Sequence, residues 1–220
     1  MSPVPLSPIM LNASQIEAGA DLLARAFQND PLMIYFVPNQ EKRRRLLPVL
    51  FRIVVRYCFR YGIIYTTSDL DGLVCCLSPG ETKTIGRLAL ASLSGIPVQL
   101  GLAGLRRFLH ASTCTGSAHK QAAPGVHWYI WVLGIDPDRQ GHGFGGQLLQ
   151  AVQKLALAEG LPCYLDTQNA RNVPFYQQHG FCQVSETQIS GSDVHVYAML
   201  WKPDEVSPPT SDRVKSEQPG

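Results

Sequence analysis

The stretch Gly134-Ile-Asp-Pro-Asp-Arg-Gln-Gly-His-Gly-Phe-Gly-Gly146 joins a long apolar run to a segment of helical periodicity. Four glycines stand among its last six residues, and glycine lets the backbone come close to a ligand. When such a turn leads into a helix, its amides and the helix N-terminus form a site for an anion such as a pyrophosphate. The stretch therefore predicts a strand, an anion-binding loop and a helix, in that order.

The segments that flank this loop alternate between strand and helix patterns. Residues 127–135 are almost continuously apolar, which predicts a buried strand. After the loop, apolar residues at helical spacing predict a helix that Gly160 ends. The remaining patterns predict strands over 161–166, 181–189 and 194–201, and a short helix over 172–179.

The glycine pattern differs from that of two common nucleotide sites. It lacks the Lys-Ser/Thr pair of a P-loop, and it lacks a G-x-G-x-x-G turn with an acidic ribose ligand in the expected register. A tight turn between strand and helix would need one or two glycines rather than four. The pattern therefore favours binding of an anion by backbone amides.

Three blocks of the sequence resemble the GNAT superfamily of acyl-CoA-dependent N-acyltransferases. Residues 140–145 fit that family's Q/R-x-x-G-x-G/A pyrophosphate loop, and residues 133–137 are similar to its fourth strand. Residues 165–167 and 172–181 are similar to its final strand–helix–strand signature. The resemblance covers about 126–200 and implies an α/β fold of the three-layer α+β type. In that GNAT fold a central mixed, mostly antiparallel sheet of about seven strands is flanked by helices and splayed between the fourth and fifth strands.

The resemblance also implies where acetyl-CoA, the co-substrate, binds. The backbone of Leu133 and Ile135 would pair with the pantetheine arm, and the Leu133 amide would stabilise the oxyanion. Amides of the loop would hold the pyrophosphate with Arg139 as a charge partner, and Asn172 would bind the cofactor arm. The implied cofactor-binding residues are Leu133, Ile135, Arg139, Gln140, Gly141, His142, Gly143, Phe144, Gly145, Gly146, Asn172 and Tyr176.

Tyr176 would protonate the departing thiolate as general acid, although the alternative is a core aromatic beside Phe175. The general base is left open by the sequence. The candidates by location are Asp30, Asp71, Glu81 and His127, each of which also fits a turn, a cap or a solvated charge. The residues expected on the acceptor side are Asp30, Tyr35, His127 and Asp166. No metal site is expected, because no Cys or His spacing suits zinc.

The N-terminal half has less specific patterns. These predict helices over 14–29 and 40–61, a hairpin of strands 63–67 and 73–77, a helix over 82–110 broken near Gly95 to Pro97, and a loop over 113–124. The run Lys42–Arg45 fits either an anion patch or, preferably, a solvated helix face. We expect one domain over 1–202, divided into an acceptor-side half (1–120, with a helical insertion at 82–110) and an acetyl-CoA-binding half (121–202). A disordered tail is expected over 203–220.

Composition restricts the partners and the cellular location that the sequence predicts. Charged residues make up 16% of the chain, against roughly 25% in a typical soluble domain, and the net charge is +2. A globular chain with so little excess charge is not expected to bind nucleic acid. The N-terminus does not resemble a signal peptide, and polar residues and glycines interrupt the uncharged stretch 88–105, so no membrane span is expected. Six cysteines without paired spacing favour the cytoplasm, and the sequence allows a homodimer.

The resemblance thus implies an N-acetyltransferase that moves an acetyl group from acetyl-CoA to a primary amine by direct attack in a ternary complex, and the absence of an acidic run in the sequence favours a small-molecule amine. A covalent acyl-enzyme is not implied, since no activated Ser or Cys motif is present. The alternative is a non-catalytic acyl-CoA-binding regulatory module. A third interpretation places the segment 82–110 on a membrane surface.

Overall fold

The computed structural model describes residues 8–81 and 96–203, in which seven strands form one sheet with helices on both faces. The strands are β1 (Ile9–Met10), β2 (Gly62–Thr66), β3 (Gly72–Leu77), β4 (Trp128–Ile135), β5 (Cys163–Thr167), β6 (Cys182–Gln188) and β7 (His195–Trp201). The helices are α1 (Ile16–Ala26), α2 (Pro31–Phe36), α3 (Gln40–Tyr61), α4 (Ile96–Ala122), α5 (Phe144–Glu159) and α6 (Val173–Gln178). Short 3-10 turns span Ala13–Gln15, Pro137–Arg139 and Ala170–Asn172.

The sheet order is β1-β2-β3-β4-β5-β7-β6. Its neighbouring strands are antiparallel except for β4 and β5, which run parallel. The predicted mixed, mostly antiparallel sheet of seven strands is confirmed, and the single parallel pair lies at the predicted position of the splay.

β4 pairs with β5 over its first three residues, and a β-bulge follows in its pairing with β3. Cys75 pairs with Val132 whereas Cys76 pairs with Ile130, so Trp131 is the extra residue on β4. The pairing of β4 with β5 covers Trp128 to Ile130. After Ile130, β4 continues along β3 and leaves a gap on its β5 side, which we call the β4–β5 gap.

Two hydrophobic clusters cover the two faces of the sheet. One is formed with α1, α2, α3 and α4, and the other with α5 and α6. Adjacent residues of a strand point to opposite faces, and Cys75 and Cys76 accordingly belong to different clusters, each fully buried. The central strands β3, β4 and β5 therefore form a largely buried layer that positions both sides of the β4–β5 gap.

Helix α3 has the predicted bounds, but the prediction of a solvated basic face is wrong for Arg43. This side chain is 4% exposed and donates to the carbonyl oxygens of Gln28, Val37 and Pro38. Those carbonyls lie in the segments before and after α2, outside the regular hydrogen-bond pattern of a helix or a sheet. Arg43 therefore holds in place the loop that leads from α1 into α2.

Two elements differ from the sequence-based expectation. Helix α2 is not among the predicted helices, because the pair Asp30-Pro31 indicates the end of α1. The same pair also suits the start of a helix, and in the structure Asp30 caps α2. The predicted loop over 113–124 is wrong, since α4 continues to Ala122. Ala111 and Ala118 are buried where α4 packs on the sheet, and this packing outweighs the modest helix propensity of the Ser, Thr, Cys and Gly residues between them.

The expected insertion and tail lie partly outside the described residues. Of the segment 82–110, residues 82–95 lie outside them, as does Gly95 in the expected break. Within α4 the backbone departs from helical geometry at Gly101, with φ of 70°. Residues 204–220 of the expected tail also lie outside. None of the helices in 8–81 and 96–203 combines the length and apolar character needed to cross a bilayer.

Candidate active site

Two backbone groups of β4 face the β4–β5 gap. The amide of Asp136 donates to the Asp71 carbonyl at 2.8 Å, so Asp136 faces β3. Because alternate residues of an antiparallel strand face opposite neighbours, Leu133 and Ile135 present their N–H and C=O groups to the gap. The Ile135 carbonyl indeed accepts from Gln140 Nε2 at 3.3 Å on that side. The gap is therefore lined by backbone donors and acceptors.

The glycine loop continues from this strand and leaves open space at its tip. Gly141 and Gly143 have φ of 81° and 82°, values that L side chains rarely adopt. A Cβ atom at either position would meet no described heavy atom within 4 Å. Gly143 is the N-cap of α5 and brings no capping side chain, so the first amides of α5 remain available to an anion.

The other two glycines of the loop serve packing against α6. A Cβ atom at Gly145 would lie 3.2 Å from Phe175 Cζ, and one at Gly146 would lie 2.5 Å from His179 Nε2. Phe144 is buried, whereas His142 is exposed with Nδ1 near the carbonyl oxygens of Arg139 and Gln140. The loop thus divides into an open tip and a base that fixes α5 against α6.

Arg139 is held at the mouth of the loop by Asp71. Its Nε and second guanidinium nitrogen lie 2.8 Å and 3.4 Å from the two carboxylate oxygens, and its guanidinium lies 5.6 Å from the ring centre of Phe144. This ion pair raises the pKa of Arg139 above its usual value. Asp71, a base candidate by sequence, is therefore occupied in orienting Arg139.

A cleft of about 410 Å³ lies beside this ion pair, between α1 and the β2–β3 turn. Its charged lining consists of Asp21, Arg25, Asp69, Asp71, Asp136 and Arg139. Four carboxylates against two guanidinium groups make it unfavourable for a pyrophosphate. The open loop tip, which presents amides without carboxylates, is the better anion site.

Tyr176 lies on α6 and is 7% exposed, with its ring packed against Phe175 and Phe181. Its hydroxyl makes no hydrogen bond to the described residues. Burial raises its pKa well above the usual value for tyrosine, and the negative charges of Asp166 and Asp30 raise that pKa further. The phenol therefore keeps its proton at neutral pH.

Asp30 stands at the N-terminus of α2, where Pro31 follows it. Its Oδ1 accepts from the amides of Leu32 and Met33 at 2.9 Å and 3.2 Å. Burial raises the pKa of this carboxyl to about 6 from its ordinary value of 3.8, although the two amides oppose the shift. A carboxyl with a pKa near 6 is ionised at pH 7 and accepts a proton more readily than an ordinary aspartate.

Asp166 lies in β5 on the face that α4 covers. The Tyr129 hydroxyl donates to its Oδ1 at 2.9 Å, and Gln168 Nε2 donates to its Oδ2 at 2.7 Å. Both carboxylate oxygens are thus oriented by neutral donors. The negative charges of Asp166 and Asp30 are also among the causes that raise the pKa of Tyr176.

The other residues predicted for the site make contacts at the start of β4, between α2 and α4, and after β5. His127 Nδ1 lies 2.6 Å from the Gly125 carbonyl and its Nε2 lies 2.7 Å from His119 Nε2, so both ring nitrogens are engaged at the start of β4. Tyr35 packs under the guanidinium of Arg107 between α2 and α4. Asn172 Nδ2 lies 3.4 Å from Thr167 Oγ1 at the end of β5.

Sequence reasoning missed how two of these groups are supported. The Asp71–Arg139 ion pair joins residues far apart in the chain, and nothing in either local sequence indicates it. The capping role of Asp30 did have a signal, because an Asp-Pro pair is typical of the first positions of a helix. Among the described residues, no three His, Cys, Asp or Glu side chains come together as a metal site requires.

We expect Asp30→Asn to stabilise the protein at neutral pH. A carboxyl whose pKa is about 6 when folded and 3.8 when unfolded favours the folded state at low pH, and this stability is lost as pH rises through about 6. Asparagine keeps the capping oxygen but carries no charge. Calorimetry should show a higher Tm for the variant at pH 7.5 and a smaller difference at pH 4. A lower Tm at pH 7.5 would contradict the raised pKa.

Comparison with known proteins gives a consistent set of similarities. Residues 100–181 match the model of the acetyltransferase (GNAT) family. An uncharacterized N-acetyltransferase of Schizosaccharomyces pombe is 25% identical over 178 residues, which span 78% of this chain and 72% of that protein.

Solved structures share the fold at low sequence identity. A crystal structure described as histone acetyltransferase HPA2 and related acetyltransferase from Corynebacterium glutamicum aligns with a TM-score of 0.63 and 21% identity, over 93% of this chain and 99% of that one. Arylalkylamine N-acetyltransferase 2 from Aedes aegypti aligns with a TM-score of 0.56 and 15% identity, over 89% and 98%. At these identities the likeness concerns the fold.

Proposed function

Because the chain belongs to the GNAT superfamily of acetyltransferases, we propose that it transfers an acetyl group from acetyl-CoA to a primary amine by direct attack in a ternary complex. The observation that carries the proposal is the course of β4. It leaves β5 after Ile130, turns the backbone of Leu133 and Ile135 toward the gap, and leads directly into the open glycine loop. An extended chain with an anionic end fits such a groove.

The residues of this groove fit acetyl-CoA, which supplies the acyl group as an activated thioester. The backbone groups that Leu133 and Ile135 present to the gap suit an extended amide-containing arm, in the manner of strand addition. The amides after Gly143 suit a pyrophosphate, and Arg139 stands at the same mouth with its guanidinium oriented by Asp71. Asn172, at the end of β5, adds an amide side chain to the other wall of the gap.

The Leu133 amide is the proposed donor to the acyl oxygen. It faces the gap from a strand that β3 holds on its other side, so it needs no rearrangement to act. Removal of a donor of this kind typically costs about 2.7–4 kcal/mol in the transition state. Since the donor is a backbone group, its position depends on the bulge at Trp131 rather than on a side chain.

Asp30 and Tyr176 are the proposed base and acid. The bound amine loses a proton to Asp30, its nitrogen forms the new bond to the acyl carbon, and the carbon–sulfur bond breaks while Tyr176 gives its proton to the sulfur. The nitrogen then loses its second proton and Tyr176 is reprotonated. From an ammonium and a thioester the net products are an amide, a thiol and one proton, so no further reactant is needed.

Asp30 is preferred to the other base candidates because of its surroundings. Asp71 is paired with Arg139, and both ring nitrogens of His127 are engaged. Asp30 uses Oδ1 as a helix cap, whereas the structure gives its Oδ2 no hydrogen bond to the described residues. Its raised pKa also suits proton acceptance near neutral pH.

The rate should therefore depend on pH through Asp30. The carboxylate must be ionised to accept a proton, so kcat at saturating substrates should fall as pH drops below about 6. Asp30→Asn should remove this acidic limb and lower kcat by about 100-fold or more. A pH–rate profile of CoA release checks both effects. An unchanged acidic limb in the variant would show that another group titrates.

CoA release with a panel of amines, combined with calorimetry of acetyl-CoA binding, tests the function itself. Turnover with at least one amine supports the transferase. Tight acetyl-CoA binding without turnover on any amine would instead favour the non-catalytic regulatory module. The single domain over 1–202, the cytoplasmic location and a homodimer stay predictions that these measurements do not address.

A further inference from the structure

One guanidinium group joins the two ends of the segment that carries Asp30. Arg43 Nε donates to the Gln28 carbonyl at 2.7 Å, two residues before Asp30. Arg43 Nη1 donates to the Val37 and Pro38 carbonyls, which directly follow α2, at 2.8 Å and 3.1 Å. The chain from before α2 to after it is therefore closed into a loop, which Arg43 fastens to the first turns of α3.

Helix α2 depends on contacts with other elements for its shape. It has six residues, and isolated helices shorter than about 12–15 residues are marginal in water. Asp30 caps its first turn, and in its last turn the Tyr35 carbonyl accepts from Arg107 at 3.3 Å. Because Arg43 reaches the backbone on both sides of α2, its removal would release the connection that carries Asp30.

The charge of Arg43 is directed at neutral groups. The side chain is 4% exposed, and its acceptors in the described chain are the three carbonyl oxygens. A guanidinium paired with Asp30 itself would lower the pKa of that carboxyl. The pKa of Asp30 is instead raised by burial to about 6, and it is opposed by the amides of Leu32 and Met33. Arg43 thus holds the backbone on either side of α2 without neutralising Asp30.

We propose that Arg43 is a positioning residue for the reaction, which closes the chain around α2 and so keeps the Asp30 carboxyl buried and directed to accept the proton of the bound amine. The inference rests on the proposed function, in which Asp30 is the base, and it adds a residue that does not touch the reactants. Lysine is a poor replacement for Arg43, because one ammonium nitrogen does not reproduce the planar fork that spans three carbonyls.

Arg43→Lys in the full-length protein is the test variant, and Arg44→Lys is the matched control. Arg44 is the next residue of α3, is exposed, and donates to Glu41 at 3.3 Å. At saturating substrates the kcat of CoA release should fall by about 100-fold in Arg43→Lys, the effect of moving a reacting group by about 1 Å. The acetyl-CoA dissociation constant from calorimetry should not change, because the glycine loop lies on other elements. The control should keep the wild-type kcat.

The pKa of Asp30 gives a second readout that needs no turnover. NMR titration of the Asp30 carboxyl carbon should give a pKa of about 6 in the wild type. Release of the connection in Arg43→Lys admits water to the carboxyl, so its pKa should move toward the ordinary value of 3.8. The acidic limb of the pH–rate profile should then move to lower pH. A loss of general stability alone would lower Tm without moving either titration.

Failure of the inference is distinguishable from failure of the proposed function. If the wild type turns over no amine, the proposed function fails, and the NMR titration decides whether Arg43 holds Asp30. An Asp30 pKa that is the same in wild type and Arg43→Lys would overturn the inference, as would a kcat equal to that of the control. An Arg43→Lys chain that does not fold would also overturn it, because Arg43 would then support the whole fold rather than the base.

Discussion

Gly143→Val should raise the acetyl-CoA dissociation constant by at least about 100-fold, because loss of two hydrogen bonds to a charged group has that effect. At this position the backbone is left-handed and a Cβ atom would meet no described atom within 4 Å. The protein itself therefore leaves room for the side chain. The obstacle is the ligand, since the valine would occupy the space in front of the first amides of α5. Calorimetric titration with acetyl-CoA gives the dissociation constant directly.

Gly160→Val is the matched control for backbone strain. Gly160 ends the same helix with φ of 65°, and a Cβ atom there also meets no described atom within 4 Å. Both substitutions place a β-branched residue in the left-handed region, which costs on the order of 1–3 kcal/mol. Their Tm values should therefore fall similarly, whereas only Gly143→Val should weaken binding. Equal affinities of the two variants would refute the assignment of the loop to the pyrophosphate.

The strand, glycine loop and helix could be predicted from sequence because their pattern is local, and the function proposed for the loop depends on the backbone. A run of apolar residues, four glycines and a helical pattern are all local features, and their order fixes which amides point outward. The residues that face the gap, Leu133 and Ile135, followed from the family resemblance. Their orientation in the structure depends on the bulge at Trp131, which arises from pairing with β3 and has no local signal.

The proposed acceptor side was less predictable because it depends on contacts between distant segments. The pKa of Asp30 is raised only because the fold buries its carboxyl, and Arg43 reaches the connection between α1 and α2 from a basic run that predicts a solvated helix face. Helix α4 is another example. Its polar, small residues predicted a loop over 113–124, but the sheet beneath them provides packing that a local pattern does not contain. Propensity is a weak guide where tertiary packing decides.

These contrasts explain why the two halves of the site differ in what can be inferred. The proposed acyl-CoA half uses backbone groups of consecutive residues, so one motif describes it. The proposed acceptor half includes Asp30 and Asp166, which come from separate elements and accept hydrogen bonds from further residues. The proposed acceptor half therefore depends on tertiary contacts, which sequence motifs do not specify.

Tyr176→Phe should lower the rate of the chemical step by about 100- to 10,000-fold, the usual contribution of a positioned general acid. Burial and the charges of Asp166 and Asp30 keep the phenol protonated across the working pH range, so the proton is present when the sulfur departs. The ring contacts with Phe175 and Phe181 do not involve the hydroxyl. The variant should therefore fold with a similar Tm and bind acetyl-CoA with similar affinity.

Single-turnover measurement of CoA release is the appropriate readout, because slow product release would otherwise mask the chemical step. Tyr197→Phe, on β7, removes an equivalent hydroxyl from a ring that stacks on His195 and is the matched control, which should retain the wild-type rate. If Tyr176→Phe kept its rate within about tenfold of wild type, less than the least effect of a general acid, the hydroxyl would not be the acid. The ring would then serve as a core aromatic beside Phe175, which is the alternative that the sequence left open.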